Sequence, residues 1–113
     1  MTTTSKVSSD VFRTDIIDAF FELHTWHGWH AAANIGLGQT DALHILEERG
    51  VDKKYVYYHW QDDERIDDQL ECWIGYCCDS DTEELVRILK KYVQVEWNGE
   101  LNERIKLLPK PRN

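Results

Sequence analysis

The sequence predicts a single α+β domain, in which a mostly antiparallel sheet of about five strands carries three helices chiefly on one face. Three observations lead to this class. Apolar residues recur at helical spacing in three segments, and short runs rich in aromatic and β-branched residues separate them. Near the end of the chain, Asn98-Gly99 is a strong signal for a hairpin. The predicted order is α-β-α-β-β-α-β-β, and 113 residues are enough for one layered core.

The first predicted helix begins at a Ser9 or Asp10 cap and continues to about Trp26. Phe21 falls on its polar side, where an aromatic side chain suggests a second contact surface. The chain ends, residues 1–8 and 109–113, are expected to be flexible. The apolar stripe of the helix consists of residues that share one side at about 100° per residue, namely Phe12, Ile16, Ala19, Phe20, Leu23 and Trp26.

The middle of the chain alternates between predicted strands and one helix. After Gly28 ends the first helix, the pattern predicts a strand over 29–35, a helix over 41–49, and strands over 55–60 and 70–78. The segment from 61 to 69 joins the last two of these strands. Because acidic residues dominate this segment, it is expected to be a short acidic linker.

The C-terminal third predicts a helix and then a hairpin. Ser80–Glu83 fits a capping box that opens the helix. A three-residue hairpin loop, with Gly99 in the left-handed conformation, would pair Val95 with Leu101. We prefer this register because it places the apolar residues of both strands on one face.

Negative charge is concentrated in one region of the chain. Between Gln61 and Glu84, ten carboxylates against the single base Arg65 give a local charge of −9, so the other residues contribute +1 to the net charge of −8. This acidity argues against direct binding to nucleic-acid phosphates or to anionic lipid. It favours a basic protein as the partner.

Aromatic strands beside these acids predict a recognition surface. Tyr and Trp are frequent anchors of protein interfaces, and alternate residues of a strand share one face. The predicted binding residues lie on the two aromatic strands and in the linker between them: Tyr55, Tyr57, His59, Gln61, Asp62, Asp63, Glu64 and Trp73.

We expect no cofactor and no metal. His24 and His27 are one helical turn apart and are the weak candidates for metal ligands. Gly28 separates them from His30, and the segment lacks the His-Glu-x-x-His pattern of a helical zinc site.

The cysteines and the apolar runs predict a cytosolic protein. Three cysteines, two of them adjacent, make a poor disulfide framework, so we expect Cys72 and Cys78 to be small buried side chains. No apolar run reaches the length that spans a bilayer, and Asp10 and Arg13 interrupt the segment where a signal core would lie.

A set of short motifs between residues 55 and 107 carries a resemblance to a known family. The motifs are His59-Trp-Gln-Asp62 after an aromatic strand, Gly75, Trp97-Asn-Gly99, and Arg104-Ile105. In these motifs the chain resembles an uncharacterised family of small bacterial α+β domains. The resemblance implies the fold class and implies no activity, substrate or cofactor.

The leading functional hypothesis is a non-enzymatic, acidic interaction module that binds a basic protein, of inhibitor, immunity or anti-defence type. Two alternatives stay open. The first is a small hydrolase or metal-dependent enzyme that uses His59 with Asp62, or His24 with His27. The second is a structural homodimer formed through the aromatic sheet face or through the side of the first helix that carries Phe21.

Overall fold

The computed structural model of the protein describes residues 8–51, 54–77, 81–99 and 104–110. These ranges contain four helices and five strands, so the α+β class is confirmed and the predicted order lacked one helix. In chain order the elements are α1 (Ser9–His27), β1 (His30–Ala32), α2 (Gln39–Glu48), β2 (Tyr55–Tyr57), α3 (Trp60–Gln69), β3 (Cys72–Tyr76), α4 (Thr82–Leu89), β4 (Gln94–Glu96) and β5 (Ile105–Leu108).

The five strands form one sheet in the order β1-β2-β3-β5-β4. β1 and β2 are parallel, whereas the other neighbouring pairs are antiparallel. The sheet is therefore mixed. The prediction of a mostly antiparallel sheet is corrected for the pair of β1 and β2, which is parallel. α2 is the reason, because a helix between two neighbouring strands returns the chain to the end from which it started, and the second strand then runs parallel to the first.

Helices cover both faces of the sheet unequally. α1, α3 and α4 cover one face and bury the main core, which includes Val56 of β2. The next residue, Tyr57, points to the other face, because successive strand residues alternate. There α2 packs over a smaller cluster of Ala32, Ala42, Leu46 and Tyr57.

α1 follows its predicted apolar stripe with one exception. The residues of the stripe are buried as far as Leu23, but Trp26 is 76% exposed. Trp29, which follows the left-handed Gly28, fills the core in its place. Phe21 is 65% exposed, as its position opposite the stripe predicted.

The helix caps lie close to their predicted positions. Ser8, and not Ser9 or Asp10, caps α1 through its side-chain oxygen. Asp81, inside the predicted capping box, caps α4 by accepting a backbone N–H of the first turn.

α3 occupies the segment that was predicted to be an acidic linker. Its apolar content is small, since Ile66 is the one aliphatic residue between Trp60 and Leu70. One feature compensates in part for the missing stripe: Asp62 and Asp63 lie in the first turn, where negative charge is favourable. Leu70 ends the helix in the left-handed conformation, which is unfavourable for a residue with a side chain.

The C-terminal strands pair in a different register from the predicted one. Val95 lies opposite Leu107 and not Leu101, so residues 97–104 connect the strands and the three-residue loop is wrong. Gly99 does adopt a positive φ of 87°. The partner of Val95 shifts from residue 101 to residue 107, which is an even number of residues. Because side chains alternate along a strand, the side of β5 that faces the core is the predicted one. Burial of Ile105 and Leu107 against β3 decides the register.

The remaining predicted strands are correct in position but longer than the observed ones. β1, β2 and β3 occupy the centres or starts of the predicted ranges 29–35, 55–60 and 70–78. Cys72 and Cys77 are buried free thiols, and Cys78 lies outside the described residues. The predicted flexible ends also lie mostly outside them. No helix in the described part of the chain is both long enough and apolar enough to cross a membrane.

Candidate functional site

α3 has a buried side and an exposed side, and each contains residues that the sequence singled out. Asp62 is fully buried and lies above Ile66 on the side that faces the sheet. Trp60, Glu64 and Asp68 point to solvent. The acidic segment is therefore divided by helical geometry into an internal and an external part.

Asp62 is the centre of a buried ionic cluster. Arg65 Nη1 donates to Asp62 Oδ1 at 2.6 Å, and Arg104 Nη2 donates to Asp62 Oδ2 at 2.9 Å. The side chains of Arg65 and Arg104 are 32% and 31% exposed, whereas Asp62 has no exposed surface. Arg104 also donates to the backbone carbonyl of Trp73, so the cluster joins α3, β3 and the residue that precedes β5.

His59 is the fourth member of this cluster, and the start of α3 positions it. It is the N-cap residue, and its carbonyl accepts the N–H groups of Asp62 and Asp63. One turn of helix then brings Asp62 back beneath the imidazole, with His59 Nε2 at 3.3 Å from Asp62 Oδ2.

The surroundings of His59 favour the neutral imidazole. Burial lowers the pKa of His59, Asp62 opposes that effect, and the charges of Arg104 and Arg65 add to the lowering. The Nδ1 atom of His59 is buried and has no hydrogen-bond partner among the described residues, and the same is true of Nε of Arg104.

This pair resembles the His-Asp contact of general base sites, but its surroundings do not favour catalysis. Asp62 is already paired with two arginines, and His59 is only 4% exposed. The neighbouring Cys72 is fully buried, and burial raises the pKa of its thiol well above the ordinary value. A protonated, inaccessible thiol is a poor nucleophile.

The aromatic face that the sequence predicted is largely covered. Tyr57 is 2% exposed because α2 packs against it, and its ring lies over Gly75, where the absence of a side chain makes room. Burial raises the pKa of Tyr57. Tyr55 and Trp73 are half-buried, and Lys106 Nζ lies 5.6 Å from the centre of the Trp73 ring. An open surface that includes Tyr57 is therefore wrong, whereas a homodimer through this face stays a prediction.

Several acids of the predicted surface are used inside the molecule. Asp63 and Asp67 pair with Arg13 of α1 at 3.0 and 3.2 Å. Glu84 accepts the indole N–H of Trp29 at 2.9 Å, and this hydrogen bond is the largest cause of its lowered pKa. Some of the acids in this region are thus held by contacts within the molecule.

Apart from the ion-paired Asp67 and the last residue Gln69, the exposed residues of α3 lie on one side, which we call the α3 face. Its residues are Trp60, Gln61, Glu64 and Asp68, which fall within about 100° of one another on the helix. Trp60 is 46% exposed, a large value for an indole in a folded domain. Among the predicted binding residues, Gln61 and Glu64 are thus accessible.

The loop that precedes α2 is hydrogen-bonded to the start of α3. The N–H of Trp60 donates to the carbonyl of Gly36 at 3.0 Å, and this bond places the loop against the start of α3. The adjacent Leu37 is 69% exposed. Neither Trp60 nor Leu37 was among the predicted binding residues, because the aromatic pattern placed Trp60 at the end of a strand and the loop had no predicted role.

His24 and His27 do not come together as metal ligands. His24 Nδ1 lies 3.1 Å from the carbonyl of Trp29, whereas His27 lies between two carboxylates, with Nε2 at 3.5 Å from Glu22 and Nδ1 at 3.6 Å from Glu84. In the part of the chain that the structure describes, no group of three or more His, Cys, Asp or Glu side chains is arranged to hold a metal ion.

Comparison with protein-family models, with curated proteins and with solved structures finds no significant match to this chain. The resemblance to a small bacterial α+β family stays a prediction. Of its motif residues, His59, Asp62 and Arg104 meet in the buried cluster, and Gly75 lies beneath Tyr57.

Proposed function

We propose that the protein is a non-enzymatic interaction module that binds a basic partner protein through the α3 face. One observation carries the proposal: Trp60, 46% exposed, shares its side of the helix with the exposed acids Glu64 and Asp68. A large aromatic side chain beside charged residues is the usual composition of an interface anchor with its polar surroundings. Carboxylates on this side favour a partner that presents lysine or arginine.

The buried side of α3 supports this role by fixing the helix in place. Asp62 connects α3 to Arg104 beside the sheet, and Asp63 and Asp67 connect it to Arg13 of α1. A helix that is ordered before binding loses less conformational entropy when a partner docks. The cluster around Asp62 is thus a support for the binding face.

A basic partner can be a protein whose own cationic groove binds an anionic substrate. A rigid acidic helix that occupied such a groove would block it, which is how an inhibitor, an immunity protein or an anti-defence protein of this class would act. Carboxylates on the face would also accelerate the encounter at low salt, with a screening length of about 8 Å at physiological ionic strength.

Photo-crosslinking in cells of the native host tests this proposal. A photoreactive phenylalanine replaces Trp60 in one variant and Phe21 of α1 in the matched control, because both positions are exposed aromatics on different helices. We expect position 60 to crosslink to one basic protein that position 21 does not reach. The double variant Glu64→Gln/Asp68→Asn should reduce that crosslink. Equal products from both positions, or products that survive the double variant unchanged, would contradict the proposal.

A homodimer through α1 is the second candidate, because Ile17 and Phe21 are 41% and 65% exposed. The same experiment distinguishes it. A crosslink from position 21 to a second copy of this chain would favour the homodimer, whereas a crosslink from position 60 to a different, basic protein favours the interaction module.

A further inference from the structure

A groove runs along the outer side of α4, between that helix and the residue that follows β4. Five residues line it, and its volume is about 420 Å³. We call it the α4 groove, and it consists of Glu83, Val86, Arg87, Lys90 and Trp97. It shares no residue with the α3 face, because its lining residues lie on α4 and after β4.

The sequence of α4 produces this groove directly. Positions 83, 86, 87 and 90 fall within about 100° of one another on a helix, so they form one strip, while Leu85, Ile88 and Leu89 point into the core. Val86 and Trp97 are partly buried against the main core and form an apolar floor. Among the strands that the structure describes, β4 has a neighbour on one side only, so the groove lies at an edge of the sheet.

Positive charge borders the apolar floor. Arg87 and Lys90 are both exposed, and neither forms an ion pair with an acid in the described ranges. They contrast with Arg13, Arg65 and Arg104, which are engaged with carboxylates. Glu83 lies one helical turn before Arg87, toward the start of α4, so the groove has an acidic end and a longer cationic end.

We propose that the α4 groove binds an acidic polypeptide segment that inserts an aromatic or large aliphatic side chain between Val86 and Trp97. Carboxylates of the segment face Arg87 and Lys90, and they avoid the Glu83 end. Charge complementarity selects the segment, and burial of its apolar side chain on the indole provides the anchor. The α4 groove prefers an acidic partner, whereas the α3 face prefers a basic one. Either proposal can therefore be wrong without affecting the other.

The chemistry favours a polypeptide over a nucleic acid. Arg87 and Lys90 are two cations on a chain of net charge −8, and a nucleic acid would experience the repulsion of that whole charge along its length. A short acidic segment concentrates its charges beside the two cations and supplies the apolar side chain that the floor can bury.

Fluorescence anisotropy with labelled peptides tests the proposal on the intact chain. The probe is a peptide of six to eight residues (roughly the span of two helical turns) with a central phenylalanine flanked by glutamates. One control peptide has alanine in place of phenylalanine, and a second has lysine in place of glutamate. The protein variants are Arg87→Gln and Lys90→Gln, with Arg49→Gln, an exposed cation at the end of α2, as the matched control.

We expect the glutamate–phenylalanine probe to bind the wild-type chain and to lose affinity about two- to fivefold with each groove variant, the range for exposed charge pairs. Arg49→Gln should leave its affinity unchanged, and neither control peptide should bind comparably. Three results would overturn the proposal: equal binding of the lysine peptide, no effect of either groove variant, or stronger binding of a short oligothymidylate than of the probe. Loss of the crosslink from the α3 face would not change the expected binding of the peptide to the α4 groove.

Discussion

Replacing Asp62 with asparagine removes one negative charge and almost no volume. The carboxylate accepts hydrogen bonds from Arg65 at 2.6 Å and from Arg104 at 2.9 Å, and it lies 3.3 Å from His59 Nε2. The asparagine carbonyl can still accept one of these contacts, whereas its amide group is a donor and faces donors. The variant therefore leaves two arginines beside a neutral side chain without creating a cavity.

The expected loss of stability follows from the number of contacts and from their exposure. Hydrogen bonds that involve charged groups contribute about 1.5–3 kcal/mol each, and removing one partner of a buried ion pair costs about 3–5 kcal/mol. The side chains of Arg65 and Arg104 are about one third exposed, so water recovers part of their hydration. For Asp62→Asn we therefore expect a decrease of about 2–4 kcal/mol in the free energy of unfolding.

Urea unfolding, followed by tryptophan fluorescence and by far-ultraviolet circular dichroism, measures this loss. Asp68→Asn is the matched control, because Asp68 lies on the exposed side of the same helix. It should change the free energy of unfolding by no more than about 0.5 kcal/mol. The double variant Asp62→Asn/Arg104→Gln should be less destabilised than the sum of the single variants, since the two residues are in contact. A single Asp62→Asn variant within about 1 kcal/mol of the wild type would refute the account of the cluster.

Two further predictions concern the surroundings of this cluster. Gly75→Ala should destabilise the protein by about 1–3 kcal/mol, because the new Cβ would collide with the ring of Tyr57. Gly38→Ala is the control, because a Cβ at Gly38 meets no atom within 4 Å. Equal urea midpoints for the two variants would contradict the packing of Tyr57 on Gly75. The second prediction concerns pH. Because burial lowers the pKa of His59 below 6.5 in the folded state, the unfolded chain binds a proton first as pH falls. This contribution of His59 to stability should be complete above about pH 6.5 and should be lost as pH falls through the folded-state pKa. His59→Asn should therefore flatten the dependence of the urea midpoint on pH between 7.5 and 5. An unchanged slope in this variant would contradict the prediction.

The sequence alone determined the elements that rest on local pattern. The buried stripe of α1 repeats at helical spacing, so its residues from Phe12 to Leu23 could be assigned to the core without knowledge of any partner. The centres of β2 and β3 followed from their aromatic and β-branched residues, and a positive φ at Gly99 followed from the Asn-Gly pair. Each of these signals acts within a few residues along the chain.

Only the tertiary structure decided the parts that depend on distant residues. α3 has little apolar stripe, and contacts with Arg13 and Arg104 help to hold a segment that resembles a solvated linker when read by itself. Arg104 is 42 residues from Asp62, so no local spacing could indicate that the pair is buried together. α2 likewise covers Tyr57, which strand alternation alone had placed on an open face. Local sequence sets which side of a strand or helix a residue occupies. The packing of other elements sets whether that side meets solvent, because the burial of a residue depends on what lies against it.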